Sequence, residues 1–403
     1  MYVAIDDTAL RIIRSLRCQW ATFALPHRET PTRSLVLKPG DPDPAHSGNY
    51  EYRVSEDDSF ELLGQTLRDC DEQTPRDDLD VLRLNEIVAN THFDFSPIGN
   101  LGEFSEERPC RLGVFKREQH VRRKKLQVSL LSPNLPVESI VLFNRDIAFA
   151  SPELCVIQLA SHLDAISLAQ VIMEFCGTYA VSPTDDAAFY DRETEYGVEP
   201  VMSLASLKAM SDAIRMWRGR DVLRRALAMS REGAASPSEA NVGIVMGLPM
   251  DAGGYDLGFP EFNVKLELDE LQSSHVLQHT YYLDAFWPDC LADMEYDSVS
   301  FHLDPAFATS TVERDRWRLL QVEKADADRL RSRELQLLGL EVIPVTKIDF
   351  QKLARMDQVA WSLAVRRHRV DGMDLEEFQN DLERRSNWIA RAELPGSLRR
   401  SGT

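Results

Sequence analysis

Apolar residues recur at three- and four-residue spacing from Thr8 to Leu16, from Ser151 to Gly177 and from Ser203 to Ser230, and this periodicity predicts amphipathic helices. Ser151-Pro152-Glu153 places an N-cap, a first-position proline and a first-turn acid in the order that helix starts favour. Val141 to Ala150, just before it, reads as a strand or hairpin. Ser236-Pro237-Ser238-Glu239 repeats the start signal at the head of an apolar segment that runs through Gly243-Ile244-Val245-Met246-Gly247. Further on, Leu283 to Pro288 is a short apolar run rich in aromatics, and Leu291 to Tyr296 alternates around Met294. Both read as short strands, with Pro288-Asp289 as the turn between them. Asp349 to Asn387 is again helical in pattern, broken at Gly372 and restarted at Asp374.

Between these elements lie stretches without period. Lys38 to Ser47 and Ser55 to Asp80 are acidic and read as loops or insertions, as does Pro183 to Pro200 with its aromatics Phe189, Tyr190 and Tyr196. Asp251 to Gln278 reads as acidic and irregular. The tail from Glu393, with Pro395 and Gly396, reads as a fraying end. At 403 residues, 43% of them apolar, the chain is long enough for two or three domains with their own cores. The pattern divides into residues 1–150 as an α+β N-terminal region, 151–232 as a helical segment, 233–350 as an α/β core, and 351–403 as C-terminal helices and tail.

Composition narrows the setting. No stretch approaches the ~20 apolar residues of a membrane span. The first residues lack a charged leader and apolar core, which points to a cytoplasmic protein. The six cysteines are scattered with no Cys-x-x-Cys pair, so neither a zinc site nor a disulfide framework is expected. A net charge of −19 sets a long-range field that opposes phosphate binding, leaving nucleic-acid contact to local basic clusters. Three are present: Lys116 to Lys125, Arg215 to Arg231 and Arg366 to Arg369. No glycine-rich phosphate loop, Gly-x-Ser-x-Gly elbow or His-Glu-x-x-His helix appears, and His275 with His279 reads as a polar loop.

The candidate chemistry is carboxylate chemistry. A hairpin of the size of Leu283 to Tyr296 brings Asp284, near the start of one strand, and Glu295 and Asp297, near the end of the other, to one end of a sheet. Crowded carboxylates repel one another and are tolerated when a cation or a shared proton offsets the repulsion. Hard oxygen ligands of this kind suit Mg²⁺ (or Mn²⁺), which accepts one or two carboxylates plus substrate phosphate. Glu239 stands either as a fourth acid or simply as the third residue of a capping box.

These residues resemble the Vsr-like branch of the PD-(D/E)xK endonuclease superfamily, in an AbiEi-type antitoxin-like bacterial architecture. The resemblance rests on Ser236-Pro237-Ser238-Glu239, on Asp284 with Trp287-Pro288, on Glu295-Tyr296-Asp297 with His302, on Asp328 with Arg331, and on Gly339 through Thr346. Ser298 stands where the family carries glycine, and Asp297 where the superfamily carries lysine. The resemblance implies a restriction-endonuclease-like mixed sheet flanked by helices. It implies Asp284 and Glu295 as ligands of Mg²⁺, Glu239 binding it through water, and Asp297 or His302 positioning a nucleophile for phosphodiester hydrolysis in DNA. A role in phage defence, alone or with a protein partner, follows from the same architecture. The alternative is a non-catalytic antitoxin-like or regulatory module that uses the nuclease fold as a binding scaffold.

Overall fold

The computed structural model describes residues 3–19, 33–37, 50–54, 101–115, 117, 122–142, 148–183, 194–214, 217–297 and 311–400. It is mixed α/β and falls into two compact units. One comprises Met1–Thr30, Asp57–Glu232 and Arg400–Thr403, and the other comprises Pro31–Glu56 and Gly233–Arg399. These units cut the chain differently from the four segments expected. Residues 151–232 belong with the N-terminal region, and residues 31–56 belong with the core that starts near 233, because their strands pair there.

In chain order the elements begin with β1 (Val3–Ala4) and α1 (Asp6–Gln19), followed by β2 (Arg33–Leu37) and β3 (Tyr50–Val54) of the second unit. The first unit resumes with β4 (Cys110–Val114), β5 (Arg122–Arg123), β6 (Leu126–Leu130), β7 (Ile140–Leu142) and β8 (Ala148–Ala150). Its sheet has the order β5-β6-β4-β1-β8-β7, with β1 parallel to β8 and antiparallel to β4. Then come α2 (Pro152–Leu159), α3 (Ala165–Phe175), the paired β9 (Tyr179–Val181) and β10 (Thr194–Tyr196), α4 (Leu204–Ala213) and α5 (Arg220–Met229). The caps explain these starts: Ser151 Oγ accepts the Leu154 N–H ahead of α2, and Asp164 accepts the Ile166 and Ser167 N–H groups ahead of α3. Gly219, before α5, has φ 95° and approaches so closely that a Cβ would lie 2.2 Å from the Ala160 carbonyl oxygen, so only glycine fits.

The second unit continues with α6 (Pro237–Gly247), β11 (Glu261–Glu267), α7 (Glu270–Ser273), β12 (Tyr281–Trp287) and β13 (Ala292–Asp297). It ends with α8 (Thr311–Leu337), β14 (Glu341–Thr346), α9 (Lys347–Gln351), α10 (Leu353–Asp371), α11 (Leu375–Glu383) and α12 (Arg385–Arg400). Its sheet order is β14-β13-β12-β11-β2-β3. β11, β12 and β13 form an antiparallel meander; α8 then carries the chain to β14, which runs parallel to β13. At the other edge β2 runs parallel to β11 and antiparallel to β3. A core of Leu35, Val264, Leu266, Tyr281, Leu283 and Leu335 ties β2, β11, β12 and α8 together.

Two expectations are corrected here. Asp251 to Gln278 is not irregular throughout, because β11 lies within it. Phe262, Val264 and Leu266 alternate inward there, and the intervening Glu261, Lys265 and Glu267 gave the stretch its acidic, unstructured look. The tail does not fray at Glu393. α12 runs to Arg400, and Arg391 and Leu394 are buried along it. Lys38 to Ser47, Ser55 to Asp80, Phe189 and Tyr190 lie outside the described residues. Among the described residues no helix is long and apolar enough to cross a membrane.

Candidate functional site

The β11–β12–β13 meander sets polar residues in a row across the sheet. Ala285 pairs with Met294, so the next position along sets Asp284 opposite Glu295. On the other side Phe262 pairs with Ala285 and Val264 with Leu283, which sets Asn263 opposite Asp284. Directly opposed residues of an antiparallel pair project to the same face, so Asn263, Asp284 and Glu295 form one cross-strand row. Asn263 holds φ at 50°, a left-handed conformation that asparagine tolerates better than most residues.

Glu239 joins this row from α6. Ser236 caps the helix, its Oγ accepting the Glu239 N–H at 3.1 Å and its hydroxyl donating back to Glu239 Oε1 at 2.9 Å. Oε2 accepts the Ala235 N–H at 2.8 Å and the Asn263 amide at 3.3 Å. The same amide reaches the Gly233 carbonyl at 2.6 Å. Glu239 is therefore both a capping residue and a buried neighbour of Asp284. Burial, and then the charge of Asp284, push its carboxyl up to about 8.

Asp284 accepts the Tyr296 N–H through Oδ2 at 3.1 Å. Burial and then the charge of Glu295 push it up to about 7, against the opposing pull of that N–H, Arg331 and Lys324. Glu295 is held by the guanidinium of Arg331 in a two-pronged contact, Nη2 to Oε1 at 2.6 Å and Nε to Oε2 at 3.0 Å. Arg331 also donates to the Tyr282 carbonyl and lies 5.9 Å from the Tyr281 ring centre. Both arginine and glutamate side chains are about one-fifth exposed, so this pair is screened less than a surface ion pair.

Sequence reasoning missed one acid of this group. Asp293 precedes Glu295 by two residues on β13, is fully buried, and neither of its carboxyl oxygens receives a hydrogen bond from an N–H or O–H donor. Glu295, two residues on along the same strand, is its main charged neighbour, and a like charge held that close disfavours ionisation. Burial, then the charge of Glu295, raise Asp293 well above the usual carboxylate range. The i, i+2 spacing of Asp293 and Glu295 on an alternating strand was the available signal. Asn263 was missed because β11 was.

Asp297 ends β13 in register with Thr346, and nothing is described of its side chain. His302 lies outside the described residues. Asp328 and Arg331 both sit on α8, as the charged-helix pattern implied. Among the described residues no group of three or more His, Cys, Asp or Glu side chains converges as a ready metal site. Mg²⁺, however, is commonly bound by one or two carboxylates with the remaining positions left to water and substrate phosphate. The opposed pair of Asp284 and Glu295 fits that smaller requirement, since each carboxylate crowds the other.

The basic clusters are distributed unequally. Arg366 is buried and donates to the Cys290 carbonyl at 2.7 Å, and Arg367 donates to the Leu257 carbonyl at 3.0 Å and to Asp371 at 2.9 Å. These two arginines brace the second unit and are not a free cationic surface. Arg218, Arg220, Arg224 and Arg225 are exposed in the first unit, and half of the Lys116 to Lys125 run lies outside the described residues. His275 and His279 are exposed in the stretch after α7, as a polar loop requires. No protein-family model, curated protein or solved structure matches this chain.

Proposed function

We propose that the second unit carries a metal-dependent, DNA endonuclease-like site of the Vsr-related PD-(D/E)xK kind. The observation that supports it best is the row of Asp284 opposite Glu295, with Glu239 alongside, in which burial and neighbouring negative charge raise Asp284 and Glu239 above their ordinary range. A divalent cation would offset the negative charge that Arg331 alone leaves in such a group. The order of elements also agrees with the resemblance: the Ser236-capped helix, the Asp284 strand, the Glu295 strand, the Arg331 helix and the strand ending at Thr346 follow in that sequence.

In this reading Asp284 and Glu295 hold Mg²⁺ or Mn²⁺, and Glu239 acts through water. When bound, the metal would polarise a phosphodiester and lower the pKa of a water. Arg331 fixes the orientation of Glu295, and burial disfavours a second negative charge on Asp293 beside it. Asp297 and His302 are the residues left to position the nucleophile. DNA is the proposed substrate, with a protein partner and a phage-defence setting as the wider proposal. Fold resemblance alone does not establish chemistry, so the residues carry the case.

One observation favours the second reading, a non-catalytic antitoxin-like or regulatory module. Arg331 occupies both oxygens of Glu295, which is how a structural ion pair looks. Calorimetric titration with Mg²⁺ and Mn²⁺, comparing the wild type with Asp284→Asn and Glu295→Gln, separates the two readings. The same samples are then incubated with plasmid and single-stranded DNA. Metal-dependent cutting that both substitutions remove supports the nuclease. Equal, negligible metal binding by all three proteins with DNA left intact selects the regulator.

A further inference from the structure

The helices after β14 enclose an open cleft that the nuclease reading does not use. It has a volume of about 640 Å³ and is lined by Asp357, Trp361, Gln379, Leu382, Glu383 and Trp388, among others. That volume falls in the range of small-ligand sites. Two indoles bordering a cleft with two carboxylates is an unusual combination for a solvated helical surface, where large aromatics are ordinarily covered.

The geometry points to a binding site for a guanidinium group, presented as an arginine side chain of a basic protein segment. Trp361 is half-buried and held against Phe378, with ring centres 5.9 Å apart, so its indole is fixed in place. Trp388 is 53% exposed and offers the opposite kind of surface, an indole face open to an incoming group. A planar cation stacks favourably on such faces, and arginine does so more readily than lysine because its charge is delocalised and weakly hydrated.

The carboxylates complete the match. Tyr255 donates to Asp357 Oδ1 at 2.8 Å, and Arg391 Nε approaches the same oxygen at 3.3 Å, so neither contact uses Oδ2. Glu383, exposed on α11, is oriented by the Gln379 side-chain amide one turn earlier. The fold already uses the same chemistry once in its interior. Arg391 is buried with its guanidinium 5.6 Å from the Tyr255 ring centre and beside Asp357, an arginine held by an aromatic face and a carboxylate. The chain's net charge of −19 adds a long-range attraction for a basic partner. A fully apolar ligand would make no use of the Glu383 carboxylate or of Asp357 Oδ2, and an anionic one would be repelled by both acids.

The site is independent of the nuclease reading and stands or falls separately. The test is titration of the full chain with a short arginine peptide, read by tryptophan fluorescence and calorimetry, alongside the same peptide carrying citrulline or lysine. Trp388→Ala and Glu383→Gln change exposed side chains and should leave the helical circular dichroism intact. Saturable binding of the arginine peptide is expected, weaker for lysine and absent for citrulline, whose urea group keeps the shape without the charge. Trp388→Ala should weaken it about tenfold and Glu383→Gln by a smaller factor, with the affinity falling as salt is raised. No saturable binding, equal binding of citrulline, or affinity unchanged in Trp388→Ala would each overturn the assignment.

Discussion

Asp6 in the first unit and Asp284 in the second are both carboxylates set into the folded interior, and their neighbours give them opposite characters. Asp6 accepts Arg111 Nη1 at 2.7 Å and stands 3.0 Å from His162 Nε2. Burial alone would raise its pKa, but the hydrogen bond and charge of His162 and those of Arg111 outweigh it, and Asp6 is held below the ordinary carboxylate range. Asp284 has other acids as its main charged neighbours and moves the other way. Even the strained backbone of Asp6, φ 57°, comes with its charge compensated, whereas the row around Asp284 is left with a deficit of positive charge. Burial by itself therefore does not mark a site. A buried acid whose neighbours do not neutralise it is a candidate for one.

The contrast can be broken experimentally, and the largest effect should come from Arg331. Replacing it by alanine removes the main cation from Glu295 and should cost about 3 kcal/mol of folding stability in urea denaturation, toward the low end for a buried pair because both partners are partly exposed. Added Mg²⁺ should recover part of that loss if the acids form a cation site, and none if they do not. Next, Asp284→Asn should lower metal-dependent DNA cleavage by at least about 100-fold while leaving the circular dichroism intact. A variant that cuts as well as the wild type would remove Asp284 from the mechanism.

Amide substitutions sharpen the comparison further. Asp6→Asn discards a charge that pairs with Arg111 and lies against His162, and should destabilise by about 1–3 kcal/mol. Burial and the Glu295 charge favour the neutral form of Asp293, so Asp293→Asn should change stability by less than about 1 kcal/mol. A large loss in Asp293→Asn would mean that Asp293 is ionised in the native state.

The smallest effects are those of pH, and their signs differ between the units. Glu239 and Asp284 have raised folded values of about 8 and 7 against ordinary values of 4.5 and 3.8. Their contribution is complete below the ordinary values and is lost as pH rises through 7 to 8. Asp6 is lowered, so its contribution is complete above 3.8 and is lost as pH falls below it. Thermal melts of Glu239→Gln should therefore show a flatter decline between pH 6 and 9 than the wild type, with the acid limb unchanged. Mg²⁺ affinity should rise over the same interval, because the cation must displace protons.

Much of this site was legible along the chain. The Ser236 cap, the hairpin around Pro288 and the opposition of Asp284 to Glu295 follow from local rules, and each involves residues close in sequence. β11 could have been read as well, since Phe262, Val264 and Leu266 alternate; its charged outward residues drew attention away from the period. Asp293 carried the right spacing, but nothing local announces that an aspartate is fully buried. Arg331 was recognised as part of a charged helix and not as the partner of Glu295, because that contact joins residues 36 positions apart.

By itself, then, the order of residues determined the helix starts, the strand pairs joined by short turns and the placement of acids near one end of a hairpin. These depend on capping, on side-chain alternation and on turns, all of which act within a few residues. The tertiary structure decided that β2, with its Ser34–Val36 segment, runs parallel to Lys265–Glu267 more than two hundred positions later. It also decided that Asn263 joins the row and that Asp293 is buried, which raises its carboxyl above the ordinary range. Long-range pairing and the electrostatics of burial depend on which surfaces meet in the folded state, and no local pattern encodes that meeting.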